Sequence, residues 1–340
     1  MLDTATPLGD SNVYGKGMVN FDRATQPISG VRYTTAALGS GPAVGGSSIS
    51  GSGLAASGNV GAALGTSSVL QGVQLVDGLN RNFSADLTRA IGVANPTNPL
   101  YTSPYLAMQS LGYRETAIPY GRDTVMTFMQ SVSGVAAQIE ARQGAGRIRW
   151  QAGAMTEING FLNNTGSGLF ALGGSQTGYA MIGGSYPLAR HLEMMGSYGM
   201  GITRTRTVQD SLLAVSPTLL SDTWKLGIAW KDLLFNGKVQ DEVSLALHGP
   251  VAVRHGSMKV SAVTGYTYSG AEDNVTATPV VTSQKINLAQ GQRQQDLMLG
   301  YSVSLGNHTR MGISVGRQFN VGGISGQTGT AAALMVRSVF

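Results

Sequence analysis

The side chains that could do covalent chemistry are few and lie far apart in the sequence. Four histidines fall near predicted turns or strand ends: His191, His248, His255 and His308. A nucleophilic serine needs a base within hydrogen-bond distance, and no spacing in the chain brings one there. The chain has no cysteine, which excludes disulfides and cysteine-ligated metals. We therefore expect no catalytic residue, no cofactor and no bound metal.

Isolated cations on strand-like segments are the more informative polar residues. A Lys or Arg that faces lipid costs about 2 to 4 kcal/mol near the middle of a bilayer. If these strands span a membrane, the cations must face the lumen or lie at the rim. They are Arg147, Arg149, Lys225, Arg254, Arg317 and Arg337. The simpler interpretation is a hydrated network in the lumen, and the alternative is a specific transport site.

The segments that carry these cations alternate between apolar and polar residues. In "GRIRWQAGAMTE", Ile148, Trp150, Ala152 and Ala154 share one face, and Arg147, Arg149 and Gln151 share the other. A period of two predicts a strand between two different environments. The pattern recurs to the end of the chain, with turn-forming spacers between the repeats. This predicts an all-β protein with antiparallel strands.

Composition narrows the kind of all-β protein. Only 12% of the residues are charged and 48 are glycine, whereas ordinary soluble domains carry about 25% charge. No apolar run approaches the roughly 20 residues that a membrane helix needs. These values favour a transmembrane β-barrel, with a low-complexity surface protein as the alternative. At about 9–11 residues for each spanning strand, residues 71–340 have room for about 10–12 strands. The net charge of +5 comes without a basic, aromatic-rich run, so we expect no nucleic-acid partner.

The sequence divides into three zones of different composition and patterning. Residues 1–35 are mixed and turn-rich, residues 36–70 form an irregular, uncharged Gly/Ala/Ser tract, and residues 71–340 are strand-like. The tract is either a flexible linker or a small-residue segment packed in a tight space such as a barrel lumen. Within the third zone, Val135, Ile139 and Arg142 follow helical spacing, which predicts a short helix or a long loop there.

Several segments together resemble one family of secreted proteins. "YGKGMVNFDRATQPI" (Tyr14 to Ile28) resembles the end of the protease domain in subtilisin-like (S8) autotransporters. "VQLVDGLNRNFSADLTRAI" (Val73 to Ile91) resembles the start of their C-terminal region. "LALHGPVAVRHGSMKVS", "YSVSLGNHTRMGISVGR" and the closing "VRSVF" resemble their later strands. The segments occur in the family's order and cover most of the chain.

The resemblance implies the outer-membrane translocator barrel of a type V secretion system. Residues 1–35 would be the remnant of the protease passenger, which the barrel exports or anchors. The family's catalytic serine lies in a GTSMAAP-like motif, and the nearest string here, Gly65-Thr66-Ser67-Ser68, lacks the Met-Ala-Ala-Pro that should follow. We expect no peptidase activity from this chain. The alternatives are a soluble or surface-attached adhesion or structural module, and a fragment of a longer serine peptidase.

The C-terminus fits the barrel interpretation. In "ALMVRSVF", Leu334, Val336 and Phe340 share one face, which should point towards lipid because Arg337 belongs to the other. In resembling proteins, the outer-membrane insertion machinery recognises such a terminal strand by its last aromatic residue. We therefore expect Phe340, Val336 and Leu334 to act as an insertion signal. The start shows no signal peptide, so an exported protein would be represented here in a mature or truncated form.

Overall fold

The computed structural model describes residues 5–39, 44–93, 105, 114–233, 240–271, 275–305 and 309–338. Over these residues the protein is mostly antiparallel β-sheet, which confirms the all-β class. None of the described helices has the length and apolar character needed to cross a membrane. The fold has an N-terminal part, described as far as residue 93, and a large sheet that begins at residue 114.

The N-terminal part is built from short elements. Its helices are α1 (Ser11–Tyr14), α2 (Phe21–Thr25), α3 (Val60–Gly65) and α4 (Ser68–Gln71). Its strands are β1 (Arg32–Tyr33), β2 (Ser47–Ser48), β3 (Gly53–Ala56), β4 (Val73–Val76), β5 (Asn82–Ala85) and β6 (Ile91–Val93). One small sheet has the order β2-β1-β4-β5, and β3 pairs in parallel with β6.

The remaining strands are mostly longer. They are β7 (Arg114–Pro119), β8 (Thr124–Gln130), β9 (Gly134–Gln143), β10 (Gly146–Glu157), β11 (Gly160–Phe161), β12 (Asn164–Ser167), β13 (Ser175–Ala189), β14 (Leu192–Thr205), β15 (Leu213–Val215), β16 (Thr218–Lys231), β17 (Asp241–His255), β18 (Ser257–Ser269), β19 (Thr276–Asn287), β20 (Gln295–Leu305), β21 (Thr309–Phe319) and β22 (Thr328–Ser338). Eleven of them form one sheet in the order β22-β21-β20-β17-β16-β14-β13-β10-β9-β8-β7. This large sheet is a meander with antiparallel neighbours.

The strands of the large sheet are connected at its two ends, and the longest connections lie at one of them. At one edge, which we call the turn end, residues 120–123, 144–145 and 190–191 join consecutive strands. At the other, the loop end, the connections 158–174, 206–217 and 256–294 contain strands of their own, and the shorter connections 131–133 and 320–327 lie at the same end. The connection 256–294 holds the β18–β19 hairpin, which pairs with β15.

The N-terminal part packs against these loop-end connections. Tyr33 Oη accepts a hydrogen bond from the backbone N–H of Val263 at 3.2 Å, and Ser67 Oγ donates to Gln284 Oε1 at 3.0 Å. One continuous apolar core includes Leu54 and Leu64 of the N-terminal part together with residues of the large sheet and the hairpin. The N-terminal part is therefore docked at the loop end.

The Gly/Ala/Ser tract takes the packed alternative over its described residues 36–39 and 44–70. Strand β3 and helix α3 lie within it, and Leu54, Val60 and Leu64 are buried. The described part of the tract is therefore packed into the fold, and residues 40–43 lie outside the described residues. The small residues permit close approach: at Gly61, an added Cβ would lie 3.1 Å from the backbone oxygen of Gly322 and 3.2 Å from Ala56 Cβ.

A second difference concerns residues 134–143, which form strand β9 instead of a helix or loop. Val135 and Ile139 are four residues apart, a separation that both a helical face and an alternating strand can produce. Pairing with β8 on one side and β10 on the other decides between these two conformations. Tertiary pairing overrides a weak local pattern of this kind.

Candidate functional site

The large sheet has an apolar face that is exposed. Along each strand the residues on this outer face alternate with residues pointing the opposite way. In β10 the outer face carries Ile148, Trp150, Ala152 and Ala154, as the sequence predicts. Residues on this face with more than a third of their surface exposed include Trp150, Ile182, Met200, Ile202, Leu226, Leu245, Leu297, Leu299, Ile313, Val315, Leu334 and Val336. A monomer in water rarely exposes so extended an apolar surface.

The inner face of the large sheet borders a polar cavity of about 710 Å³. Arg147 of β10 and Arg310 of β21 both line it. These strands are six positions apart in the sheet order, which would be roughly 30 Å in a flat sheet at about 4.8 Å per strand. The sheet therefore curves around the cavity.

Charged side chains in the cavity pair with one another. Glu140 accepts from both Arg147 and Arg149, at 3.4 and 3.1 Å. Across other strands, Lys231 pairs with Glu193, and Arg310 with Glu242 at 3.0 Å. The described residues hold no group of three acidic or histidine side chains that could bind a metal ion. The arrangement is a network of ion pairs towards the turn end, open enough to hold water.

The cations predicted for the lumen or rim fall into two groups. Arg147, Arg149 and Lys225 line the cavity. Arg317 instead alternates in step with Ile313 and Val315, so it lies on the outer face near the loop end of β21. Arg317 therefore lies near the rim of the sheet and not on its inner face. Arg337 stands opposite Arg310 in the register of β21 and β22.

Arg254 also belongs to the outer face, in a cluster that sequence reasoning missed. Its guanidinium donates to Tyr198 Oη at 2.9 Å and lies 3.6 Å from the Asp222 carboxylate. Arg293 reaches the same carboxylate at 2.9 Å. Asp222 is 3% exposed, so two arginines cover one buried carboxylate at the loop end. No local sequence pattern links these residues, since they come from three separate segments.

The interior at the loop end is packed with apolar and aromatic groups. Tyr105 is fully buried, its ring stacks on that of Tyr179 at 4.6 Å between centroids, and its hydroxyl is 3.2 Å from Ser221 Oγ. A Cβ at Gly201 would lie 2.9 Å from the Tyr105 ring, so a glycine is needed there.

A buried carboxylate holds the segment after α2 against the β4–β5 hairpin. Asp77 Oδ2 accepts from the backbone N–H of Ile28 at 3.0 Å and pairs with Arg81 at 2.7 Å. Arg81 in turn donates to the backbone oxygens of Ala24 and Gln26. Burial opposes ionisation of Asp77, but these hydrogen bonds outweigh it and hold the pKa of its carboxyl below the usual value.

The string that most resembles a serine-protease nucleophile motif has a structural role. Ser67 is buried, and its hydroxyl oxygen accepts from the backbone N–H of Leu70 at 3.4 Å as the N-cap of α4. At the other end of the chain, Leu334 and Val336 are 68% and 60% exposed on the outer face. That is the orientation predicted for them, whereas Phe340 lies outside the described residues.

Comparison with known proteins finds no match: no family model, no curated protein and no solved structure resembles this chain at a significant level.

Proposed function

We propose that this chain is a transmembrane β-barrel of a bacterial outer membrane, serving as the translocator and anchor of an autotransporter. The main support for a barrel is the polarity of the large sheet, which is the reverse of that in a protein with an apolar core and a polar surface. Its exposed face is apolar, while its inner face lines a cavity with paired charges. That polarity suits a sheet that faces lipid outside and water inside.

Dimensions and connectivity support the same proposal. Strands β13, β14 and β16 have 15, 14 and 14 residues, and a tilted strand needs about 9–11 to cross a bilayer. Outer-membrane barrels have short turns at one end and long loops at the other, and the three connections of this sheet that contain strands of their own all lie at the loop end. Pairing of the two edge strands, β22 and β7, would close the barrel and leave no open edge.

Export of a passenger is the function that the sequence resemblance adds. The N-terminal part docks at the loop end and joins the core there, where a chain leaving the barrel on the outside would emerge. In the conformation described, this part packs against the loop end, which would hold an attached passenger there. The insertion machinery, lipid and the passenger in cis are the proposed partners.

A soluble adhesion or structural module is the competing function, and behaviour in detergent separates the two. We expect the protein to need detergent or lipid and to migrate differently in SDS gels before and after heating, because a closed barrel resists SDS. The heated sample is the internal control for the unfolded chain. A monodisperse monomer in detergent-free buffer would contradict the barrel.

A further inference from the structure

Within its strands, the large sheet carries its outer-face cations at one end. Within the described strands, no Lys or Arg occupies an outer-face position at the turn end or in the middle. At the loop end, four strand arginines and Arg293, from the connection before β20, lie on the outer face, and we call these five the arginine collar: Arg114, Arg204, Arg254, Arg293 and Arg317. At the turn end, the exposed Arg122 and Arg190 lie in the connecting turns instead of in the strands.

The register places the collar just beyond the apolar band. Arg204 is two residues after the exposed Ile202, and Arg317 is two residues after the exposed Val315. Arg114 pairs with Gln130, two residues from the exposed Phe128 on the same face of β8. The collar therefore follows the loop-end border of the surface that would meet lipid.

Among the residues that the structure describes, ion pairs neutralise the collar only in part. Asp222 is an acidic group on this border, and Arg254 and Arg293 share it while keeping 61% and 39% of their side-chain surface exposed. Arg204 and Arg114 are exposed as well, and Arg317 donates to the neutral Thr328 hydroxyl at 2.8 Å. Guanidinium groups at such a border suit phosphate, which accepts paired hydrogen bonds from them.

We infer that the arginine collar binds the phosphate groups of anionic lipids in the leaflet at the loop end. The inference rests on the proposed membrane barrel and goes beyond it, because a barrel alone needs no lipid preference. Lipid is favoured over free phosphate because the apolar outer face beside each arginine can hold the acyl chains of the same molecule. The collar would also fix which end of the barrel faces that leaflet.

The test compares two double variants with the same loss of charge. Arg204→Gln with Arg317→Gln removes two collar charges that do not contact Asp222, and it leaves the Asp222 cluster intact. Lys259→Gln with Lys285→Gln is the matched control, since these exposed lysines face each other on the β18–β19 hairpin, outside the large sheet. Binding of phosphatidylglycerol and of phosphatidylcholine to the full chain in neutral detergent is measured by native mass spectrometry.

The parent should prefer phosphatidylglycerol, and the collar variant should lose on the order of tenfold of that preference, while the control keeps it. Inorganic phosphate, at matched ionic strength, should leave the preference in place. Displacement by inorganic phosphate, an equal loss in the control, or no preference in a heat-modifiable parent would overturn the inference alone. A parent that folds without detergent would overturn the proposed function and the inference together.

Discussion

Leu299 offers a direct way to tell a lipid-facing surface from a water-facing one. It is 57% exposed in the middle of β20, and Leu305 is 51% exposed at the turn end of the same strand and the same face. The two variants, Leu299→Arg and Leu305→Arg, introduce the same positive charge, and the leucines that they replace are similarly exposed. In water both changes should be nearly neutral, within about 0.5 kcal/mol, as is usual for surface substitutions.

In a bilayer the two variants should differ. At about 3.4 Å per residue, Leu305 is some 20 Å along the strand from Leu299, and a tilt of about 40° leaves roughly 15 Å along the membrane normal. The apolar band of a barrel is about 25 Å tall, so Leu299 lies near its middle and Leu305 at its border. Leu299→Arg should therefore cost about 2 to 4 kcal/mol and Leu305→Arg about 0 to 1 kcal/mol.

The assay is reversible folding into lipid vesicles followed by urea titration, with tryptophan fluorescence as the signal. The free energy of unfolding is compared between the parent and each variant, at equal slopes of the transition. Equal and small losses in Leu299→Arg and Leu305→Arg would refute the assignment of the outer face to lipid. A large loss in both would show that the depth of the band is wrong.

Three further results are expected. Because folding lowers the pKa of Asp77, its contribution to the stability of the fold is present above the unfolded pKa of about 4 and is lost as pH falls below that value. Hydrogen exchange at the Ile28 amide should therefore speed up in acid, and Asp77→Asn should speed it up already at neutral pH. An Ile28 amide whose exchange stays unchanged would contradict the network. Cysteine in place of Arg149 should react with polar thiol reagents in the membrane-inserted protein, and protection from them would contradict a hydrated cavity. Deletion of Phe340 should lower outer-membrane insertion without lowering synthesis, with Phe340→Tyr as the nearly silent control; normal insertion of the deletion would rule out the terminal signal.

The faces of the strands could be read from the sequence because alternation is local. In β10, each residue's face follows from its neighbours two positions away, so Trp150 outside and Gln151 inside were predictable. The same rule, applied strictly, would have placed Arg317 with Ile313 and Val315. The cost of charge in lipid left two positions open for it, the lumen and the rim, and its place near the end of a strand puts it at the rim.

The parts of the structure that depend on distant segments could not be predicted. Asp222, Arg254 and Arg293 meet only because β17 pairs with β16 and the hairpin returns the chain to β20. The stacking of Tyr105 on Tyr179 likewise joins segments that share no pattern. In the Gly/Ala/Ser tract, composition alone could not separate a linker from a segment whose small side chains permit close packing.

The central claim, that the outer face of the large sheet faces lipid, is tested most directly by the orientation of the tryptophans. The chain has three, and in the strand register Trp150, Trp224 and Trp230 all belong to the outer face of the large sheet. Variants that keep one tryptophan each, with the others changed to Phe, are folded into vesicles whose lipid acyl chains carry bromine. A lipid-facing sheet predicts strong quenching of all three relative to unbrominated vesicles. Fluorescence that bromine leaves unchanged at every position would contradict the barrel.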